Sequence, residues 1–365
     1  FYVLDDYTPL RHLKKEDLTK AATIYPVKDA LMYIESLPLG VRGKGFQGED
    51  FFTTPNPKVG AVFTYYLKDD IKTIKEKRRE AEKEKIKKGE PPYYPSLDSL
   101  RLEDEQPAPH LLFTVSDENN NVIRRIKAPA QKGLNRIVWD FRYAPFGPVD
   151  LTPFDESNVF SAPEIGYMAL PGNYKVSLSK FEDGIYTELT AAQPFKAVAL
   201  NNASLPATDK KALEDFCKQL AELRRVSAAS DEYRSEMINK LRFIKQAVIE
   251  TPNLPLTVSK TITALEKRLT DVNTKLNGDA TLGRREFESK PSVNERIGTI
   301  VGGLWRTTSA PTTTYLNSYQ TAARQFTIVY NELKAIGTDI KNLENILETN
   351  KAPYTPGRLP EWSGN

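Results

Sequence analysis

Carboxylates set close together are the natural start of a search for hydrolytic chemistry, and this chain has notable doublets at Asp5-Asp6, Glu49-Asp50 and Asp69-Asp70. Glycoside hydrolysis needs two carboxyl groups that face each other across a sugar. Adjacent residues on an extended chain point to opposite sides, so these doublets read as turns and solvated edges. His12 and His110 are far apart and not at metal-ligand spacing. The single cysteine, Cys217, can form no internal disulfide, and a metal site built on cysteines is excluded. It sits in the helical pattern from Leu213 to Leu220, where a small buried thiol is common. Neither a nucleophile elbow nor a phosphate-binding loop is present. The glycine-rich stretch Gly40 to Gly48 lacks the spacing of a dinucleotide fingerprint and reads as an extended connector. No catalytic residue, cofactor ligand or metal ligand is therefore assigned, and no cofactor is expected.

Aromatic doublets offer a different chemistry, the stacking of rings on sugars. Tyr65-Tyr66, Tyr93-Tyr94 and Phe51-Phe52 are the candidates. Where a doublet lies on a strand, one ring is expected inside, which leaves at most one for a ligand. The candidate ligand or partner surface is accordingly Tyr65, Tyr66, Tyr93 and Tyr94, joined by Trp362 as an anchor in the C-terminal tail. Core packing is the competing reading for every one of these rings on a strand.

The elements that must position these side chains follow from composition and periodicity. The chain has 365 residues, enough for two or three domains, with 39% hydrophobic and 27% charged residues. Its 51 basic and 48 acidic residues leave a net charge of +3, too balanced for a nucleic-acid footprint. No apolar run approaches the roughly 20 residues that span a bilayer. The start, Phe1 to Asp6, reads as the middle of a strand, so the chain is expected to be cut from something longer. Strands are expected at Val59–Leu67, Leu111–Asp117, Val122–Ile126, Gly133–Arg142, around Tyr174–Leu178, and at Ile185–Thr187 and Gln193–Val198. A Glu/Lys-rich insertion after Asp70 reads as a solvated helix capped near Gly89, and residues 91 to 109 as a surface loop. After Leu205 the pattern turns helical. A first helix carries Leu213 to Leu223, a second runs Asp231–Glu250, a third Thr257–Leu276, a shorter one follows from Val293, and a last runs Thr313–Leu347.

Several stretches resemble large bacterial exported proteins with sortilin-like, sialidase-type repeat β-propellers, often labelled glycosyl hydrolases. They are Leu4 to Arg11, Pro55 to Leu67, Gly133 to Arg142, Asn277 to Arg285 and Ala352 to Trp362, spread over nearly the whole chain. The resemblance implies an exported protein whose propeller, which would carry the hydrolase label, lies upstream. The region from Gly133 to Tyr174 also looks like the Ig-like modules at the ends of such proteins.

The fold expected is α+β and multidomain: an Ig-like antiparallel β-sandwich followed by an antiparallel helical bundle. Its parts are an extended segment over 1–58, the sandwich over 59–200 with the helical insertion at about 70–90, the bundle over 205–350 and an irregular tail over 351–365. The function expected is that of a non-catalytic structural or interaction module of a larger exported propeller protein. One alternative is a carbohydrate-binding accessory module. Another is part of a glycoside hydrolase whose catalytic residues lie mostly in the propeller. The partners expected are the upstream propeller and a glycan or protein, with no nucleic acid and no membrane span.

Overall fold

The computed structural model describes residues 6–35, 54, 56–158, 160–362 and 364. The strand expected from Phe1, Asp5, the glycine-rich stretch Gly40 to Gly48, and the doublets Glu49-Asp50 and Phe51-Phe52 lie outside the described residues. The chain divides into two compact units. One comprises Phe1–Ala144 and Glu156–Ser204, the other Pro145–Asp155 and Leu205–Asn365.

The first unit holds all the described strands. Two short ones, β1 (Ala22–Ile24) and β2 (Ala30–Met32), follow a one-turn helix α1 (Thr8–His12). Next come β3 (Ala61–Leu67), helices α2 (Ile74–Lys87) and α3 (Leu97–Glu105), and strands β4 (His110–Asp117), β5 (Val122–Ala128), β6 (Gly133–Trp139), β7 (Gly172–Glu182) and β8 (Ile185–Ala199). Strands β1, β3 and β6 form an antiparallel sheet in that order. The other five form a curled, mixed, half-barrel sheet in the order β2-β8-β7-β4-β5. The expected Ig-like sandwich is thus overturned. An Ig-like sheet is antiparallel throughout, whereas β2 runs parallel to β8, Ala30 beside Ala197 and Met32 beside Ala199.

Alternation along the strands makes the core. Leu111, Phe113 and Val115 of β4 and Tyr174, Val176 and Leu178 of β7 all point inward and are buried. Aromatic rings fill much of the space between the two sheets. Phe63 meets Phe195 edge-on at 5.2 Å, and Trp139 meets Tyr174 at 5.0 Å. Phe141 is fully buried at φ 60°, a strained backbone for a bulky residue. The strain sits in a turn tied on both sides: Trp139 Nε1 donates to the Arg142 carbonyl at 3.0 Å, and Ala169 N donates to the Phe141 carbonyl at 2.7 Å.

The second unit is helical: α4 (Lys210–Glu250), α5 (Val258–Asn277), a four-residue turn α6 (Ala280–Gly283), α7 (Val293–Leu304) and α8 (Thr313–Thr349). The sequence expectation of two helices before Pro252 gives way to one continuous helix of 41 residues. Asp209 starts it, accepting from Ala212 N at 2.8 Å. The expected all-antiparallel bundle is overturned as well. Contacts climb α4 and α8 together, Phe216 against Tyr319, Tyr233 beside Gly337, Lys240 with Glu344, so these two helices run parallel. Helix α5 runs the other way, with Lys245 on Glu266 and Asp231 on Asn277. Helix α7 returns further along, with Asn294 on Ser227. A broken descending rod, α5 then α7, therefore lies against two long ascending ones. No helix among the described residues is long and apolar enough to cross a membrane.

Candidate functional site

The outer face of the five-stranded sheet carries an aromatic row assembled by register alone. His110 of β4 pairs with Phe181 of β7, and Phe181 pairs with Tyr186 of β8. Each lies one position out of phase with the core residues, since Leu111 and Leu178 point in. The ring centroids are 4.7 Å apart for His110–Phe181 and 4.8 Å for Phe181–Tyr186. His110 and Tyr186 also meet directly, edge-on at 5.8 Å, so the three rings close into a compact triangle with mutual inclinations of 31°, 47° and 78°. Tyr186 is 53% exposed, and its neighbour Ile185 is 66% exposed.

Three local devices hold the row. The β7–β8 turn is Asp183-Gly184 with φ values of 51° and 83°, the left-handed pair that a two-residue hairpin of this twist requires. Gln106 pins that turn, its Nε2 donating to Asp183 Oδ1 at 2.6 Å while its Oε1 accepts from Ile74 N at 2.7 Å. His110 Nδ1 donates to the Ala108 carbonyl at 3.3 Å, since a carbonyl can only accept. In the uncharged ring this leaves Nε2 to accept from the Tyr186 hydroxyl at 3.2 Å. Next to the aromatic row on the same face, the register places Glu188, Ser179, Leu112 and Lys127, and then Ser177, Thr114 and Arg125. Rings at one end and hydroxyl, ammonium and guanidinium groups beyond them form a surface that can stack on a sugar ring and hydrogen-bond its hydroxyls.

A concavity of about 700 Å³ opens beside β2 and β3 and is lined by Asp6, Lys28, Asp29, Tyr33, Glu35 and Lys58 among others. Its size suits a small molecule. Burial works to raise the Asp6 carboxyl. The hydrogen bonds from Thr8 and the charges of Lys28 and Arg136 outweigh it and hold the group below the ordinary carboxylate value. Asp6 is therefore an ionised acceptor and not a proton donor of the kind that glycoside hydrolysis requires. Among the described residues no group of three or more His, Cys, Asp and Glu side chains is placed to hold a metal ion.

The aromatic residues singled out in the sequence scatter over separate elements. Tyr65 is corrected from a surface candidate to a core residue, 3% exposed and packed on Phe113 at 4.8 Å. Its inward parity on β3 decides this. Tyr66, on the opposite face, is half-buried between Thr23 and Leu134. Tyr93 and Tyr94 are 78% and 79% exposed in the connector between α2 and α3. Trp362 is 86% exposed in the tail. The doublet rule captures none of the aromatic row, because its three rings come from three strands and meet only through pairing. The usable signal was parity: His110, Phe181 and Tyr186 each sit off the inward alternation of their strands.

Comparison of the chain with protein-family models, with curated proteins and with solved structures gives no match.

Proposed function

We propose that the chain is a carbohydrate-binding accessory module whose ligand surface is the outer face of the five-stranded sheet, within a larger exported protein. The observation that carries this reading is the triangle of rings His110, Phe181 and Tyr186 beside hydroxyl and cationic side chains. Sugar rings present C–H faces to aromatic rings and a rim of hydroxyls to polar neighbours. Three rings within 5.8 Å of one another make a patch the size of one sugar ring, which suits a single stacked sugar with its neighbours on the polar side chains, rather than a flat crystalline face. Affinity electrophoresis of the full chain against soluble polysaccharides tests it. Retardation by at least one polysaccharide is expected, with about a tenfold loss of affinity in Phe181→Ala and in Tyr186→Ala. A chain that no polysaccharide retards, or one retarded equally with and without Phe181, refutes the assignment.

A second reading is a structural module that packs against the upstream propeller implied by the sequence resemblance. The observation in its favour is the tail, where Leu359 and Trp362 are 89% and 86% exposed on a segment anchored by buried Arg358. A fixed segment that offers a tryptophan is the usual form of an interface anchor. Hydrogen exchange with and without the separately expressed propeller tests this reading: protection of residues 352–362 is expected, and unchanged exchange there refutes it. The exported location rests on the same resemblance.

A further inference from the structure

Helices α2 and α3 lie antiparallel as a hairpin that stands on the edge of the first unit. Its base is clamped by charge. Arg78 bonds Glu103 through two nitrogens at 2.5 and 2.8 Å and reaches Glu82 at 2.6 Å. Lys75 meets Asp104 at 3.4 Å, and Lys72 meets Glu80 at 2.7 Å. Glu76 closes a capping box with Thr73. The acids of α2 are thus largely committed to the base. The far end differs. Residues 83–94 are exposed without exception, and Lys88 lies about 15 Å along the helix axis from the Arg78 clamp. Among the described residues Lys83, Lys85 and Lys88 form no ion pair, while Glu84 is taken by Lys87. The same exposed stretch carries Ile86 at 58% exposure and Tyr93 and Tyr94 at 78% and 79%.

We propose that this hairpin end docks on an anionic lipid surface, with Tyr93, Tyr94 and Ile86 entering the headgroup region and Lys83, Lys85 and Lys88 facing lipid phosphates. Charge complementarity selects a negative partner, and the apolar groups select among negative partners. A phosphate backbone or an acidic peptide would take the lysines and leave Ile86 and both tyrosines in water. A bilayer interface accommodates both sets, because amphipathic aromatic rings settle at headgroup depth and each nearby lysine adds its own attraction to the negative leaflet. Gly89, at φ +77°, ends α2 with Glu90 N bonded back to the Lys85 carbonyl at 3.0 Å, and the two tyrosines follow four and five residues later in the connector.

The test is co-sedimentation of the full chain with vesicles of phosphatidylcholine alone and of phosphatidylcholine mixed with phosphatidylglycerol. Binding is expected only to the mixed vesicles and is expected to fall with added salt. The triple variant Lys83→Gln, Lys85→Gln, Lys88→Gln should lower the partition coefficient about 100-fold. Tyr93→Ser with Tyr94→Ser should lower it about tenfold. All five positions are exposed, and an unchanged circular dichroism spectrum confirms that the variants fold. Phe181→Ala should bind vesicles as the parent does, which separates this proposal from the glycan platform. No binding to mixed vesicles, equal binding to both kinds, an undiminished triple variant, or binding abolished by a soluble nucleic acid or acidic peptide with the tyrosines dispensable would each overturn it.

Discussion

The two units use their polar side chains in opposite ways. In the helical unit, prominent polar groups face another helix. Arg268 of α5 joins Glu332 and Asp339 of α8, each at 2.6 Å, Lys240 of α4 joins Glu344 of α8 at 3.0 Å, and buried Ser227 bonds Asn294 at 2.6 Å. In the strand unit the core is dominated by rings and aliphatic groups, and the polar groups line the outer face of the curled sheet. In the strand unit such polar locking is centred on the α2–α3 clamp of Arg78 and Glu103 and the Gln106 pin, and the polar side chains of the sheet's outer face are left open to a ligand. The search for a ligand therefore belongs to the strand unit, and the search for what stabilises the chain's second half belongs to its interhelical contacts.

The largest effect expected concerns Cys217, the strongest intrinsic nucleophile in the helical unit. Burial first, and the nearby Glu214 charge second, push its thiol up to about 12. Reactivity follows the thiolate, so alkylation by iodoacetamide at mildly basic pH should run roughly a thousandfold slower in the folded chain than in denaturant. Fast labelling of the native chain would mean that this helical core opens and would break the comparison on its locked side.

On the other side, Gly60 tests how rigidly the strand unit is packed. A Cβ there would lie 2.3 Å from the Trp139 carbonyl oxygen, and its φ of +150° suits glycine. Gly60→Ala should cost about 3 kcal/mol in chemical denaturation. Hydrogen exchange should rise in β3 and β6, which pair beside it.

Arg358 tests the helical unit in the same range. Its guanidinium is 6% exposed, pairs with Glu348, and donates to the Ala352 and Pro353 carbonyls. Arg358→Met takes the guanidinium from the Ala352 and Pro353 carbonyls and leaves Glu348 with only the Glu361 N–H and water, so it should cost about 2–3 kcal/mol. Exchange of residues 352–361 should then approach the unfolded rate. The same clamp carries a pH signature. The backbone N–H of Glu361 first, against burial, and then Arg358 hold the Glu348 carboxyl below the ordinary value. A carboxyl lowered on folding contributes stability that is complete above the ordinary carboxylate value and is lost as pH falls through the folded one. Protection of the tail should therefore fade on acidification within the carboxylate range and not on going alkaline. Tail exchange followed against pH checks this.

How much of this was readable beforehand follows from the length and regularity of each signal. Strands β4 and β7 were legible because five or more residues alternate cleanly, and α5, α7 and α8 because their apolar stripes run for three turns or more. Strands β1 and β2 have three residues each, too few to show a period, yet β2 makes the sheet mixed and so decides the fold. Helix α3 was hidden by the prolines before it. The apparent break in α4 fell between Leu223 and Asp231, because Ser227 and Ser230, at inward positions, interrupt the apolar stripe. In the structure Ser227 is buried and bonded to Asn294 within one unbroken helix. The aromatic row was illegible for a different reason. Its members are ordinary residues singly, and strand register, which no local window contains, is what makes them neighbours.

The smallest effect expected distinguishes locking contacts from incidental ones within the helical unit. Lys245 lies 3.2 Å from Glu266, but the two side chains are 52% and 38% exposed. Water competes for both charges, and holding two long side chains in one geometry costs entropy, so such a pair adds little. Lys245→Gln should change stability by less than about 0.5 kcal/mol, whereas Arg268→Gln, which strips two carboxylates of α8 of their shared cation, should cost about 1 kcal/mol. The same denaturation series reads both. A loss at Lys245 equal to that at Arg268 would mean that position on the helix matters more than the number of partners. The locking of this unit would then be spread evenly over α4, α5 and α8, instead of being concentrated where one guanidinium bridges two acids.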